Sequence, residues 1–281
     1  MNKEFTIILK KALEEDIGKG DITSEAIVPP RKTATALVKA KQNGVLCGIY
    51  FAQEVFKAVD KKIKFKTEKK DGDIIRKDDI IAEVTGNARS ILKAERVALN
   101  FLQHLSGIST QAFKLNKLAS VYKAKVLDTR KTTPGWRTLE KYAVKTGQGE
   151  NHRFGLYDMI LIKDNHITVA GSIKKAISLA KKKRKKGVKI EVEVKTLSQV
   201  KEAIKEKPDI IMLDNLSLDE MELAVDWIRK HDKKIKIEAS GNVTLESVEE
   251  IAKTGVDYIS VGSALTLSAD ALDISLDVEI I

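Results

Sequence analysis

The sequence predicts an α/β protein: an incomplete parallel α/β barrel of about six strands, preceded by an α+β N-terminal domain. Three observations predict it. From residue 126 onward, apolar runs of strand length alternate with segments of helical period. Each run ends in polar or charged residues. The first 110 residues lack this rhythm. Strand–helix alternation at such spacing means parallel βα units. Six units fall short of the eight of a complete barrel, and a doubly wound sheet is the alternative architecture.

The elements follow in order. The chain of 281 residues is long enough for one large domain or two. MNKEFTIILKKALEED reads as a charged amphipathic helix rather than a signal peptide. TATALVKAKQNGVLCG and IIRKDDIIAEVTG read as strands of an antiparallel or mixed sheet, with a turn at Asp71-Gly72-Asp73. A long helix over about 89–120 links the domains, so the expected division is 1–110 and 111–281. The last residues are expected to return to the N-terminal domain.

The six strand-length runs are VLDTRKT, MILIKDNH, KIEVEVKT, IIMLDN, IKIEASG and YISVGS. Between them, ITVAGSIKKAISLAKKKRKKG, LSLDEMELAVDWIRK and VTLESVEEIAKTG carry apolar residues at helical spacing. Thr196, Ser217 and Thr244 suit helix N-caps, and Gly187 and Gly255 suit helix stops.

Net charge is +10, which suits acidic partners. Aromatics make up only 5%, too few for a single-strand stacking platform. The basic run KKKRKK at 181–186 ends a predicted helix, where cations complement the macrodipole, so it is not read as a nucleic-acid patch. Cys47 is the single cysteine, which excludes an internal disulfide and a cysteine zinc site. No apolar run approaches a membrane span, and the expected location is the cytoplasm.

Every polar cluster lies at the carboxyl end of its strand, the edge where parallel α/β folds bind ligands. These ends bring Asp128, Arg130 and Lys131; Lys163, Asp164 and Asn165; Glu191, Glu193 and Lys195; Asp214 and Asn215; Glu238 and Ser240; Gly262 and Ser263. His152 and Arg153 lie just ahead of the second strand. A core has no use for such a ring of cationic donors, because burying an unpaired charge is costly. Arg130, Lys131, His152, Arg153 and Lys163 suit carboxylates or phosphates. Glu193 and Asp214 suit a hydrated Mg²⁺ or ribose hydroxyls. The glycine- and serine-bearing turns after the last two strands suit a phosphate. The set points to a phosphorylated sugar and a second anion. A Schiff-base lysine, Lys163 or Lys195, is the competing chemistry.

Other residues read structurally. His104 suits helix packing, Trp136 and Trp227 a helix-face core, Cys47 inert core, and Glu238 a pair with a nearby lysine. His166 is either a strand-end cap or a site group. Glu191 and Glu193 share one side of a strand, leaving open which of them serves the site.

DTRKTTPGWRTLEKYAVKTGQGENHRFGLYDMILIKDNHI strongly resembles the quinolinate phosphoribosyltransferase family. EEDIGKGDITSEAI, ERVALNFLQHLSGIST, IEVEVKT, IIMLDN, IEASGNV and ALDISLDVE extend the resemblance over nearly the whole chain. A related phosphoribosyltransferase-like protein of metal-uptake operons shares part of this motif set. The family resemblance implies transfer of phosphoribose from 5-phosphoribosyl 1-pyrophosphate to quinolinate, with release of CO₂ and pyrophosphate, and with Mg²⁺. It implies that Arg130, His152, Arg153 and Lys163 hold the quinolinate carboxylates, with Lys131 between the substrates. Glu193 and Asp214 would serve the ribose side and its metal, directly or through water. Ser240, Gly241, Gly262 and Ser263 would wrap the 5′-phosphate. Arg96 would reach the site of a second copy in a homodimer, or in a higher oligomer. Two departures stand out. Gln148 and Glu150 interrupt a run that is commonly glycine in the family. Leu267 replaces the usual histidine in SALTLS, where Ser263 makes one residue extra.

Overall fold

The computed structural model describes residues 3–280. In chain order its elements begin with α1 (Lys3–Ile17), α2 (Ile22–Ile27), β1 (Thr33–Ala40), β2 (Gly44–Val45), α3 (Ile49–Val59), β3 (Lys64–Thr67), β4 (Ile74–Ile75) and β5 (Ile80–Asn87). Then come α4 (Ala88–Ser120), β6 (Lys125–Leu127), α5 (Arg137–Thr146), β7 (Ile160–Ile162), α6 (Asp164–Ala170), α7 (Ile173–Lys183), β8 (Ile190–Val194) and α8 (Leu197–Lys205). The chain continues with β9 (Ile210–Asp214), α9 (Leu218–His231), β10 (Lys236–Ser240), α10 (Val248–Lys253), β11 (Tyr258–Ser260) and β12 (Ile274–Ile280).

Two compact units result. The first comprises residues 1–113, 133–148 and 268–281; the second comprises 114–132 and 149–267. Where a boundary near 110 and a return of the last residues were expected, the chain passes between units four times, residues 133–148 making the additional excursion.

The first unit holds an antiparallel sheet in the order β12-β1-β5-β3. β1 alternates in burial, as a strand with one covered face does. β12 pairs with β1, Ala40 opposite Ile274. Gly107 lets the returning segment cross α4, since a Cβ there would lie 2.1 Å from the Asp270 carbonyl oxygen. Several of the few aromatics cluster here. Phe5 and Phe51 lie 4.6 Å apart by ring centroids, and Phe101 stacks on Trp136 at 5.0 Å. Trp136 sits at the N-cap of α5 rather than on a helix face. Cys47 is fully buried, as expected.

The second unit holds six parallel strands in the order β6-β11-β10-β9-β8-β7. The first strand in sequence pairs with the last, as in a sheet rolled toward closure. Glu150 adds an isolated parallel bridge to Leu127. β8 is buried along its whole length, as a strand enclosed on both faces should be. Among the described residues, no helix is long and apolar enough to cross a membrane.

Three local expectations need correction. The segment expected as one helix after β7 breaks into α6 and α7 at Gly171, which takes a left-handed φ of 91°. Thr244 is not an N-cap: α10 starts only at Val248, after Ser247. Trp227 is not core; it is 38% exposed, stacked on His231, with the Lys201 ammonium 4.4 Å from its ring. Thr196 and Ser217 do cap their helices.

Candidate active site

A cavity of about 910 Å³ opens at the carboxyl ends of the second unit's strands. Arg130, Lys131, His152, Arg153, Lys163, Glu193, Asp214, Ser240, Gly241, Gly262 and Ser263 all line it, so the convergence expected from the strand ends is met.

The cationic side is built in layers. Asp128, fully buried after β6, accepts the His152 backbone N–H at 2.9 Å and so fixes the stretch that carries His152 and Arg153. Arg153 donates to the Met159 carbonyl at 3.2 Å. Burial, then the neighbouring charge of Arg130, holds its guanidinium below the usual arginine value. Two like charges kept close without being driven apart make a seat for an anion. Lys131 lies over the Gly262 turn; a Cβ on Gly262 would meet its side chain at 3.2 Å. Lys163 reaches Glu193 at 2.6 Å, and its backbone N–H donates to His166 Nδ1 at 2.9 Å. That bond makes His166 the cap of the strand end, although the residue also lines the cavity.

The acidic side comes from β8 and β9. Glu193 and Glu191 both face inward, as their spacing requires, but they do different work. Glu193 lines the cavity; Glu191 lies below it, fully buried, and bonds His152 Nε2 at 2.9 Å. His152 Nδ1 accepts the Arg153 backbone N–H at 2.8 Å. With Nδ1 an acceptor, Nε2 carries the proton and points at Glu191. Both ring nitrogens thus bond protein groups, while the ring lines the cavity beside Arg153.

Among the described residues, no lysine pairs with Glu238. Its carboxylate lies 3.5 Å from His152 Nε2, beside Glu191. Burial first raises both acids: Glu191 to about 7 and Glu238 well above its usual value, the latter also by the charge of Glu191. Two carboxyls in so little polar surrounding cannot both ionise, so the pair keeps a proton at neutral pH.

Sequence reasoning named Asn215 at its strand end without giving it a role and gave none to Asn242; both line the cavity, with left-handed φ of 55° and 45°. The signal was present: Asp-Asn and Gly-Asn pairs directly after strands mark turns that tolerate this conformation. It also passed over the Lys195–Asp164 ion pair at 2.7 Å. Outside the cavity lie two residues named earlier. Arg96 is exposed on α4. His104 Nε2 donates to the Glu140 carboxylate at 3.0 Å, which agrees with its structural reading.

Comparison with known proteins adds three findings. The family model "Quinolinate phosphoribosyl transferase, C-terminal domain" matches residues 108–277, and the corresponding N-terminal domain matches 21–106. The chain is 45% identical to a probable nicotinate-nucleotide pyrophosphorylase [carboxylating] of Bacillus subtilis, covering 96% of this chain and 93% of that one. The one from Methanocaldococcus jannaschii is also 45% identical, covering 99% of each. Among solved structures, the nicotinate-nucleotide pyrophosphorylase of Francisella tularensis superposes with a TM-score of 0.94 at 46% identity, covering 99% of this chain and 97% of that one.

Proposed function

The chain belongs to the quinolinate phosphoribosyl transferase family, and from that premise we propose how its cavity works. It transfers the phosphoribosyl group of 5-phosphoribosyl 1-pyrophosphate to quinolinate. The products are nicotinate mononucleotide, CO₂ and pyrophosphate, a step of de novo NAD biosynthesis. The observation that carries the reading is the cationic rim: Arg130 lies close enough to Arg153 to lower its guanidinium, with Lys131 and Lys163 around the same cavity. Quinolinate is a dianion, and guanidiniums match its carboxylates geometrically.

The chemistry follows from charge. The bond from C1 of ribose to pyrophosphate breaks as the pyridine nitrogen bonds to C1. The quaternised nitrogen then draws electrons, so the C2 carboxylate leaves as CO₂ and a proton takes its place. Fixed charges placed where charge develops speed both events. Glu193 and Asp214 offer hard oxygen donors at neighbouring strand ends, which fits a hydrated Mg²⁺. When bound, Mg²⁺ neutralises the pyrophosphate. Ser240, Gly241, Gly262 and Ser263 serve the 5′-phosphate. The reading extends to a cytoplasmic homodimer in which the exposed Arg96 of one copy serves the cavity of the other.

Incubation with quinolinate, 5-phosphoribosyl 1-pyrophosphate and Mg²⁺ should yield nicotinate mononucleotide and CO₂ one for one. Nicotinate should react very poorly, since a site built for two carboxylates rejects an analogue that leaves its donors unpaired. Comparable turnover of the two acids would overturn the reading. The homodimer has its own test. Arg96→Ala and Lys131→Ala should each be nearly inactive, and refolding them together should restore activity in mixed dimers. If mixed dimers form without activity, Arg96 serves no neighbouring site.

A further inference from the structure

Asp214 and the Ser240-Gly241 turn belong to different strands, β9 and β10. One residue touches both. Asn215 takes a left-handed φ of 55°. Its backbone N–H donates to the Ser240 carbonyl at 2.9 Å, and its Nδ2 donates to Asp214 Oδ1 at 3.0 Å. The other end of the same amide lies against Gly241. A Cβ on Gly241 would sit 2.1 Å from Asn215 Oδ1 and 2.5 Å from its Cγ, so the asparagine fills the space that a side chain at 241 would need.

A left-handed non-glycine residue is not by itself a sign of function, and Lys123 and Lys207 show the same conformation away from the cavity. What sets Asn215 apart is the use made of it. The strained φ turns one planar amide so that one edge meets an acid and the other a glycine. Such backbone persists only where its surroundings hold it.

We infer that Asn215 is a positioning residue that ties the Asp214 carboxylate to the Ser240-Gly241 turn. Asp214 serves the ribose and its metal, and the turn serves the 5′-phosphate, so Asn215 sets the distance between the two ends of the phosphoribosyl donor. The inference rests on the donor assignment above. It adds that the donor is measured as one length by a residue touching neither the pyridine acid nor the leaving group.

The test uses Asn215→Gly, which keeps the left-handed backbone and removes the brace. The full-length enzyme should show KM for 5-phosphoribosyl 1-pyrophosphate raised about tenfold or more, with KM for quinolinate within about twofold. Calorimetry without quinolinate should show the same loss of donor affinity, a readout independent of turnover. Gly241→Ala should also weaken donor binding. In the double variant the clash with the amide is gone and only the strain of the positive φ at 241 and the close backbone N–H of residue 215 remain, so the losses should fall short of additive. Unchanged donor affinity in Asn215→Gly, equal loss for both substrates, or strict additivity in the double variant would each overturn the inference. Failure of the native enzyme to use the donor would instead overturn the functional reading, so the two failures are distinguishable.

Discussion

Each unit of the protein buries glutamate beside a histidine, and the two arrangements behave in opposite ways. In the first unit, Glu140 is fully buried, yet His104 bonds one oxygen at 3.0 Å and the Thr133 backbone N–H bonds the other at 3.0 Å. Burial alone would raise its pKa, but the hydrogen bonds from His104 and Thr133 outweigh burial and hold the carboxyl below its usual value. In the second unit, Glu191 and Glu238 lie deeper still, and among the described residues Glu191 Oε1 and both Glu238 oxygens lack a hydrogen-bond partner. There burial wins and both acids are raised. A buried acid with its oxygens satisfied is structural. A buried acid left short of partners, at the edge of a cavity lined with cations, holds a proton and stores free energy.

That contrast can be broken at several points. The largest effect belongs to the cavity. Arg153→Ala should weaken quinolinate binding by about 2–5 kcal/mol, as expected for removing one partner of a desolvated charge pair. Unfolding stability should change by less than about 1 kcal/mol. Calorimetry and denaturant titration separate the two, and unchanged affinity would mean the cationic rim is a solvated strand end.

Glu140→Ala should do the reverse. It leaves the Thr133 N–H and His104 without their acceptor, and should lower unfolding stability by about 3 kcal/mol. A loss confined to catalysis would erase the distinction drawn here.

Glu238→Gln sharpens the contrast through pH. The native acid keeps its proton in the folded state where the unfolded chain, at its usual value of 4.5, has released it. Its contribution to stability is therefore complete below pH 4.5 and declines as pH rises above it. Glutamine has no such decline. The stability of the variant relative to the native protein should improve steadily between pH 5 and pH 8. A difference that is flat with pH would show Glu238 ionising freely.

The smallest effect concerns a departure from the family's glycines. Gln148 adopts a left-handed φ of 68°, which explains why glycine suits the position. Gln148→Gly should stabilise the protein by about 1 kcal/mol, measurable by denaturant titration.

Most of the second unit was legible because strands enclosed on both faces write themselves as apolar runs, and their polar ends mark the functional edge. The strand ends marked Arg130, Lys163 and Asp214 for the site, and all three line the cavity. Periodicity could not divide Glu191 from Glu193, since both face one side; only the depth of His152 separates them. Nor could it show that Glu238 packs against Glu191, because that contact joins strands far apart in sequence. Gly171 was visible, but a lone glycine inside a helical pattern does not say whether the helix bends through it or stops. The first unit was less legible. Its sheet is completed by β12, and no local pattern announces a partner so distant.

The pairing of β12 with β1 bears on how the chain is made. A ribosome delivers the polypeptide from the N-terminus, and domains tend to fold as they emerge. Residues 114–132 and 149–267 can assemble the six parallel strands before β12 exists. β1, synthesised early, must wait with one edge uncovered until residues 274–280 arrive. An uncovered edge is where strands from other chains attach. A chain from which residues 274–280 are deleted should therefore keep the six-stranded unit resistant to protease while its N-terminal sheet is cut. Such a chain would be half mature and prone to aggregate through the strand it made nearly first.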